Sequence, residues 1–329
     1  MIKPRLPRNI LRMYELDLII FIKCSGDNAR ADNLQDTIVS FMQKNVGVNY
    51  GFYIVTDPHI APYVTQTFHQ YPDAAGHLVE LKTSLNSWAT DFNEFYTQHK
   101  DLAEWLLICH DDVVFKTEDY FNKLIRATEH KKEEIGWITS GSDFYYTQLG
   151  TVVTDTFRPG FHRDTGNWGA MFQLHKLNHC KGNPSLLKEN LHLVDYPSRP
   201  VKIHGPMSAI MMTRMTSLEK IGLCEDWTRY TMLIDEDWSL SALKNNLWNV
   251  WVPDVFHSHP NRRHLRISNN KWESEAHAGL LKKWGFDTGG AYAQGVSIPI
   301  NELREQYAGT NVSWSSYRNS YDWEYLDNE

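Results

Sequence analysis

Hydrophobic and polar positions switch between two periods along the first half of the chain. Leu16 to Cys24 is an almost unbroken apolar run, the pattern of a strand buried on both faces, and Leu34, Ile38, Phe41 and Met42 then recur at helical spacing. Tyr50 to Thr56 gives a second strand and completes a βαβ unit. The alternation continues through a helical stretch after Pro58, a short strand at His77 to Leu81, a helix over Trp88 to His99 and the apolar run beginning at Trp105. Phe121, Leu124 and Ile125 share one helical face, and Ile135 to Thr139 is extended. An α/β protein with an open, mostly parallel sheet flanked by helices is predicted.

From Gly141 to Pro200 the periodicity lapses into a stretch rich in Gly, Pro, His and aromatic residues, which predicts a substrate-facing insertion. Regular pattern returns with a strand at Met207 to Thr213, a helix near Thr216 to Ile221, a helix carrying Leu240, Leu243 and Leu247, and a strand at Trp248 to Val252. Trp272, Ala276, Leu280 and Trp284 then fall every four residues, with Gly285 placed to cap their helix. These patterns divide the chain into an arm (1–15), a main domain (16–266) interrupted by the insertion (141–200), and a helical then irregular C-terminal extension (267–329).

With 329 residues, 42% of them hydrophobic, the chain can bury a large core. Its net charge of −7 offers little attraction to a nucleic-acid backbone, so nucleic acid is excluded as the main partner. Cys24, Cys109, Cys180 and Cys224 are widely separated, which fits neither a zinc ribbon nor a disulfide framework and predicts a reducing compartment. Because Leu16 to Ile22 is far too short to span a bilayer, a cytoplasmic protein without a membrane span is expected. The basic opening, with Lys3, Arg5, Arg8 and Arg12, reads as a solvated arm and leaves peripheral contact with an anionic membrane open.

Three groups of residues could carry chemistry. His110-Asp111-Asp112 ends an apolar run, where carboxylates are costly to desolvate unless a cation compensates them, and a hard divalent ion can bridge such acids to a diphosphate. The bland alternative is that the pair caps the next helix, although that helix starts several residues later. Asp57 follows the second strand and should share a crevice with the Asp111/Asp112 pair at the carboxyl ends of the strands, or else simply start a turn with Pro58.

Asp235-Glu236-Asp237 opens a helix, a favourable place for acids in any case and a suitable one for a base that deprotonates a hydroxyl. His257 and His259 flank Ser258 and point the same way on an extended backbone, as nitrogen ligands for a metal. Beside them Arg262, Arg263, His264 and Arg266 form a cationic lip for phosphates.

In this order and spacing the chain resembles a glycosyltransferase of the GT-A fold, a Rossmann-like architecture, and is most similar to the family 2-like enzymes. Asp57 matches the family's nucleotide-contacting acid, and Trp105 to Phe115 its hydrophobic strand ending in a DxD motif, with His110 in the first position and Asp112 as the metal-binding acid. Ser208 to Arg214, then Leu218 to Leu223, is similar to the acceptor-side strand and the helix that follows it. Counting back from Val252-Pro253 puts the catalytic base on Asp235, while a shift of one or two residues gives Glu236 or Asp237.

The resemblance implies a nucleotide-binding half (16–140), an acceptor half (201–266), a Mn2+ or Mg2+ ion and a nucleotide-sugar donor, UDP-sugar first. It also implies a carbohydrate or glycoconjugate acceptor and inversion at the anomeric carbon by single displacement. Asp57, Asp111, Arg262 and Arg263 would hold the nucleotide; Asp112, His257 and His259 would hold the ion. Trp168, Phe172, Trp227 and Tyr230 lie in or beside the presumed acceptor regions and are candidates for sugar stacking. Two other readings stand beside this one. A metal-dependent hydrolase could use His257, His259 and the Asp111/Asp112 pair to hold an activated water, and a non-catalytic carbohydrate-binding protein would use the aromatic residues alone.

Overall fold

The computed structural model describes residues 14–24, 29–142, 199–203, 206, 209–228, 234–258, 270–284 and 326–327. Alternating strands and helices open the chain: β1 (Leu16–Cys24), α1 (Ala29–Lys44), β2 (Tyr50–Thr56), α2 (Ala61–Gln70), α3 (Pro72–Ala75), β3 (Leu78–Thr83), α4 (Trp88–His99) and β4 (Ala103–Cys109). They are followed by β5 (Val114–Phe115), α5 (Tyr120–Thr128), a 3-10 turn and β6 (Ile135–Ser142). The second part contributes β7 (Val201–Ile203), β8 (Ile210–Arg214), α6 (Met215–Ile221), α7 (Ile234–Lys244), β9 (Trp248–Ser258) and α8 (Asn270–Trp284).

The strands form one sheet in the order β3-β2-β1-β4-β8-β6-β9-β5, with β7 also paired to β9. Strands β3, β2, β1 and β4 are parallel, as helical crossovers require. The second half is mixed: β8 is antiparallel to both β4 and β6, β9 is parallel to β6, and β5 and β7 are antiparallel to β9. The parallel arrangement predicted for most of the sheet therefore holds for its first half only. The crossovers that enforce it stop at β4, and β8 enters from the opposite direction.

Odd and even positions of the central strands face two separate hydrophobic layers. Leu18, Ile20 and Ile22 of β1, with Leu107 of β4 and Val250 and Val252 of β9, pack beneath α1, α2 and α5. Ile19 and Phe21, with Leu106, Ile108 and Trp137, pack against α4, α6 and α7, where Trp238 stacks on Trp137 at 5.0 Å between ring centroids. Both layers run across the two halves of the sheet.

Backbone pairing between β6 and β8 is sparse, and side-chain hydroxyls reinforce it. Thr139 Oγ1 donates to the Ile210 carbonyl at 2.9 Å, Thr213 Oγ1 to the Gly136 carbonyl at 2.6 Å, and Ser217 Oγ to the Ile135 carbonyl at 2.8 Å.

Besides shifts of a few residues at the ends of β3, β6 and β8, three differences from the sequence reading bear on the site. The apolar run from Trp105 to Phe115 is two strands, because the chain turns at Asp111-Asp112 and β5 then pairs with β9. Leu247 lies beyond the end of α7, buried in the turn that leads into β9. The last strand extends past Val252 to Ser258 through a bulge: Ser140 pairs with Val252 and Gly141 with Phe256, so Pro253, Asp254 and Val255 drop out of register. A proline is tolerated there since it has no ladder hydrogen bond to donate. Among the described residues no helix is long and apolar enough to cross a membrane.

Candidate active site

Strand directions bring the sequence-predicted residues to one edge of the sheet. The parallel strands β1, β2 and β4 end at Cys24, Thr56 and Cys109, and antiparallel β8 begins beside Cys109, where the His110 amide donates to the Ala209 carbonyl. β6 and β9 run parallel to each other and end at the same edge. Asp57, the Asp111/Asp112 turn and His257 are therefore at the carboxyl ends of the strands, where open α/β sheets take their ligands.

Asp111 and Asp112 occupy the turn that leaves β4 and are 3% and 8% exposed. They do not cap α5. That helix starts at Tyr120 behind Asp119, which has a φ of 56°, and its Phe121 amide is taken by Asn45 Oδ1 at 2.7 Å. The two carboxylates are thus buried at the mouth of the sheet for a reason other than helix capping. Two residues beyond Asp112, Val114 pairs with Ser258 and Phe115 with His257, which brings the acid turn and the histidine strand side by side.

His257 is 3% exposed, and its Nδ1 lies 2.7 Å from Ser140 Oγ, which is hydrogen-bonded in turn to Tyr120 Oη. Asp57 is half-buried, and its carbonyl accepts from the Ile60 and Ala61 amides at 3.0 and 3.2 Å, so the residue also serves as the turn initiator foreseen as its bland role.

The three acids of α7 separate. The helix ends three residues before β9 starts and is joined to it by a tight turn, so it runs back against β9 and presents its first turn toward the same carboxyl edge. Asp235 lies half-buried in that first turn. Asp237 points elsewhere: it is 1% exposed, accepts from Trp284 Nε1 at 2.7 Å and pairs with Lys283 Nζ at 3.0 Å. Burial outweighs both partners and raises its carboxyl above the usual range, whereas at Lys283 burial, which lowers the pKa, is overcome by Asp237 and Glu225 together, and the lysine is raised. Both shifts are upward but act oppositely on charge: the carboxyl, 1% exposed, is pushed toward its neutral form, while the lysine, 30% exposed, is held charged. Asp237 anchors α8 to α7. Of Glu236 only the backbone is described.

His259, Arg262, Arg263, Trp168, Phe172 and Tyr230 lie outside the described residues. Trp227 packs against α8, with its indole so close to Gly279 that a Cβ there would sit 2.2 Å from Cγ. Among the described residues, no group of three or more His, Cys, Asp or Glu is arranged to hold a metal ion. Asp111 and Asp112 still supply two buried, hard oxygen donors, the set with which Mg2+ or Mn2+ is held jointly with phosphate oxygens and water.

Two polar groups at this edge escaped the sequence reading. Lys23 and Asp91 form a buried ion pair of 2.5 Å between the end of β1 and the first turn of α4. Ser140 and Tyr120 support His257. The signal for the first was a lysine inside an otherwise apolar strand; for the second there was none.

No protein-family model matches the sequence, and no curated protein sequence matches it. Among solved structures the chain is similar to GalNAc-T7 with UDP, GalNAc and Mn2+, with a TM-score of 0.56 and 11% identity over 89% of this chain and 54% of that one. It thus spans about 54% of the length of that structure. It is also similar to the mannosyltransferase PcManGT from Pyrobaculum calidifontis in complex with GDP-Man and Mn2+, with a TM-score of 0.46 and 13% identity over 89% and 79%. The chain has the GT-A glycosyltransferase fold: a mixed, open sheet flanked by helices, with its acidic turn at the carboxyl edge.

Proposed function

We propose that this protein is a metal-dependent glycosyltransferase that moves a sugar from a nucleotide-sugar donor, a UDP-sugar first, to a hydroxyl of a carbohydrate or glycoconjugate. The observation that carries the reading is the Asp111-Asp112 turn, buried at the carboxyl edge of a GT-A sheet and not used to cap a helix. The binding of UDP and Mn2+ by GalNAc-T7 supports the same assignment.

Asp112 is the direct ligand of a Mn2+ or Mg2+ ion, Asp111 supports it, and Asp57 contacts the nucleotide beyond the end of β2. When bound, the ion offsets the charge that builds on the departing diphosphate. Asp235, in the helix turn facing that edge, takes the proton of the acceptor hydroxyl as the sugar passes through an oxocarbenium-like state with inversion. The bonds of Asp237 to Trp284 and Lys283 argue against this role for it. Glu236 remains the rival base.

A thermal-shift screen of nucleoside diphosphates with and without Mn2+ tests the division of labour. At a ligand concentration 100-fold above Kd, linkage stabilises the native state by about 2.7 kcal/mol, a shift of several degrees. One nucleotide should produce it in the presence of metal; Asp112→Ala should lose it, and Asp235→Asn should keep it while losing roughly 100-fold or more in transfer rate. The same response from all three proteins would remove the proposal, and a tightly retained zinc would favour hydrolysis instead.

A further inference from the structure

The buried ion pair at the end of β1 reaches beyond its own two charges. Lys23 has the parity of Ile19 and Phe21 and so faces α4, where its Nζ donates to Asp91 Oδ2 at 2.5 Å and to the Asn86 carbonyl at 2.6 Å. Because β2 lies between β1 and β3 in the sheet, the bond from Lys23 to Asn86 crosses under the end of β2, the strand that delivers Asp57. Asp91 turns its other oxygen to Ser84 Oγ at 2.7 Å, and that hydroxyl accepts from the Asn86 amide at 3.0 Å. The Ser84 amide donates in turn to the Thr56 carbonyl at 3.0 Å, one residue before Asp57.

What this network grips is the loop 84–87 between β3 and α4. Nothing apolar holds that loop, since Leu85 and Asn86 are exposed and Ser87 is half-buried. A desolvated ion pair is a poor source of stability, because well-packed apolar residues of the same volume commonly do as well or better. Apolar residues would not supply directed donors and acceptors. Here the two charges fix one backbone carbonyl and one hydroxyl of the loop, at the edge where open sheets take their ligands.

We propose that Lys23, Asp91 and Ser84 are positioning residues for the nucleotide: they hold the loop 84–87, and the backbone ahead of Asp57, in the shape that receives the nucleoside of the donor. The identity of the ligand rests on the glycosyl-transfer reading. A loop fixed in advance need not be ordered when the ligand arrives, so the network acts through affinity. Each link is a hydrogen bond: Lys23 to Asn86, Ser84 to Asp91, and Ser84 to Thr56.

Titration calorimetry of the full chain with Mn2+ and each of UDP, GDP, ADP and CDP identifies the nucleotide that binds. For that nucleotide, Lys23→Met combined with Asp91→Leu should raise Kd about tenfold, because the freed loop must be ordered on binding. Lys82 keeps Glu94 as its partner at 2.6 Å, so this double variant strands no charge, and its urea midpoint reports an intact fold. Ser84→Ala leaves the ion pair in place and should also weaken binding, whereas Ser84→Thr, which keeps the hydroxyl, should bind like wild type. Wild-type affinity in the double variant or in Ser84→Ala, or equal weakening in Ser84→Ala and Ser84→Thr, would overturn the assignment. Failure of wild type to bind any of the four nucleotides would overturn the ligand together with the glycosyl-transfer reading. Hydrogen exchange without ligand reads the network separately: the Asn86 amide should exchange faster in the double variant, and an unchanged rate would show that the pair does not hold the loop.

Discussion

Asp91 is fully buried in the first turn of α4, where it accepts from Ser84 Oγ at 2.7 Å and from Lys23 Nζ at 2.5 Å. Lys23 also donates to the Asn86 carbonyl at 2.6 Å, so one ion pair ties together the end of β1, the loop after β3 and the start of α4. Removing one partner strands the other charge inside the protein. Asp91→Ala should therefore cost about 3–5 kcal/mol in urea denaturation, whereas Lys23→Met combined with Asp91→Leu should recover most of that loss. A single variant as stable as wild type would show that the pair is solvated in solution.

Asp237 makes the complementary case, a carboxyl whose burial raises its pKa. Its native form holds a proton where the unfolded chain has lost it, so its contribution to stability is fully present below the unfolded value of 3.8 and is lost as pH rises through the folded value. The stability of wild type minus that of Asp237→Asn should accordingly decline as pH rises from 4 toward 7, measured by urea midpoints. A difference that grows over the same interval would mean that Lys283 and Trp284 outweigh burial. Neither partner was legible in the sequence, since Lys23 finds Asp91 68 residues away and Asp237 finds Trp284 47 residues away.

At the scale of elements, most of the fold is legible from periodicity. The helix over Trp88–His99 has the predicted bounds, helped by Ser87, whose Oγ accepts from the Thr90 amide at 3.1 Å, and β1 and β2 also fall where the apolar runs put them. The split between β4 and β5 was hidden because both flanks of the Asp111-Asp112 turn are apolar, one packing into the central sheet and the other against β9. Local pattern records burial and leaves the choice of partner open. The seat of α7 shows what local pattern misses: a Cβ on Gly136 of β6 would stand 2.6 Å from Ala242 Cβ and 3.3 Å from Leu247 Cβ. Gly136→Ala should cost about 1–3 kcal/mol by overpacking. It should also lower the transfer rate, because the helix it displaces carries Asp235. Adding Ala242→Gly should restore both, and additive losses in the double variant would show that the two positions do not meet.

Across the whole molecule, the Asp111-Asp112 turn and Asp235, the proposed ion site and the proposed base, belong to different halves of the chain, and the antiparallel strand β8 joins those halves by pairing with β4 on one side and β6 on the other. Each hydrophobic layer is continuous through that junction: one extends from Leu18 and Ile20 to Val250 and Val252, the other from Ile19 and Phe21 to Trp137 and Trp238. Opening either half alone would expose apolar surface in both layers, so the sheet should unfold as one cooperative unit. Native-state hydrogen exchange reads this directly. Amides of β1 and β4 and those of β9 over Val250–Val252 should exchange with the same free energy, equal to that of global unfolding. β3 lies at the edge of the sheet, is only partly buried and exposes Val79, so its amides should exchange sooner, through local opening. Earlier exchange across β6 and β9 as a block would show instead that the half bearing Asp235 opens independently, and the distance between Asp235 and the Asp111-Asp112 turn would then be set by ligand binding and not by the sheet.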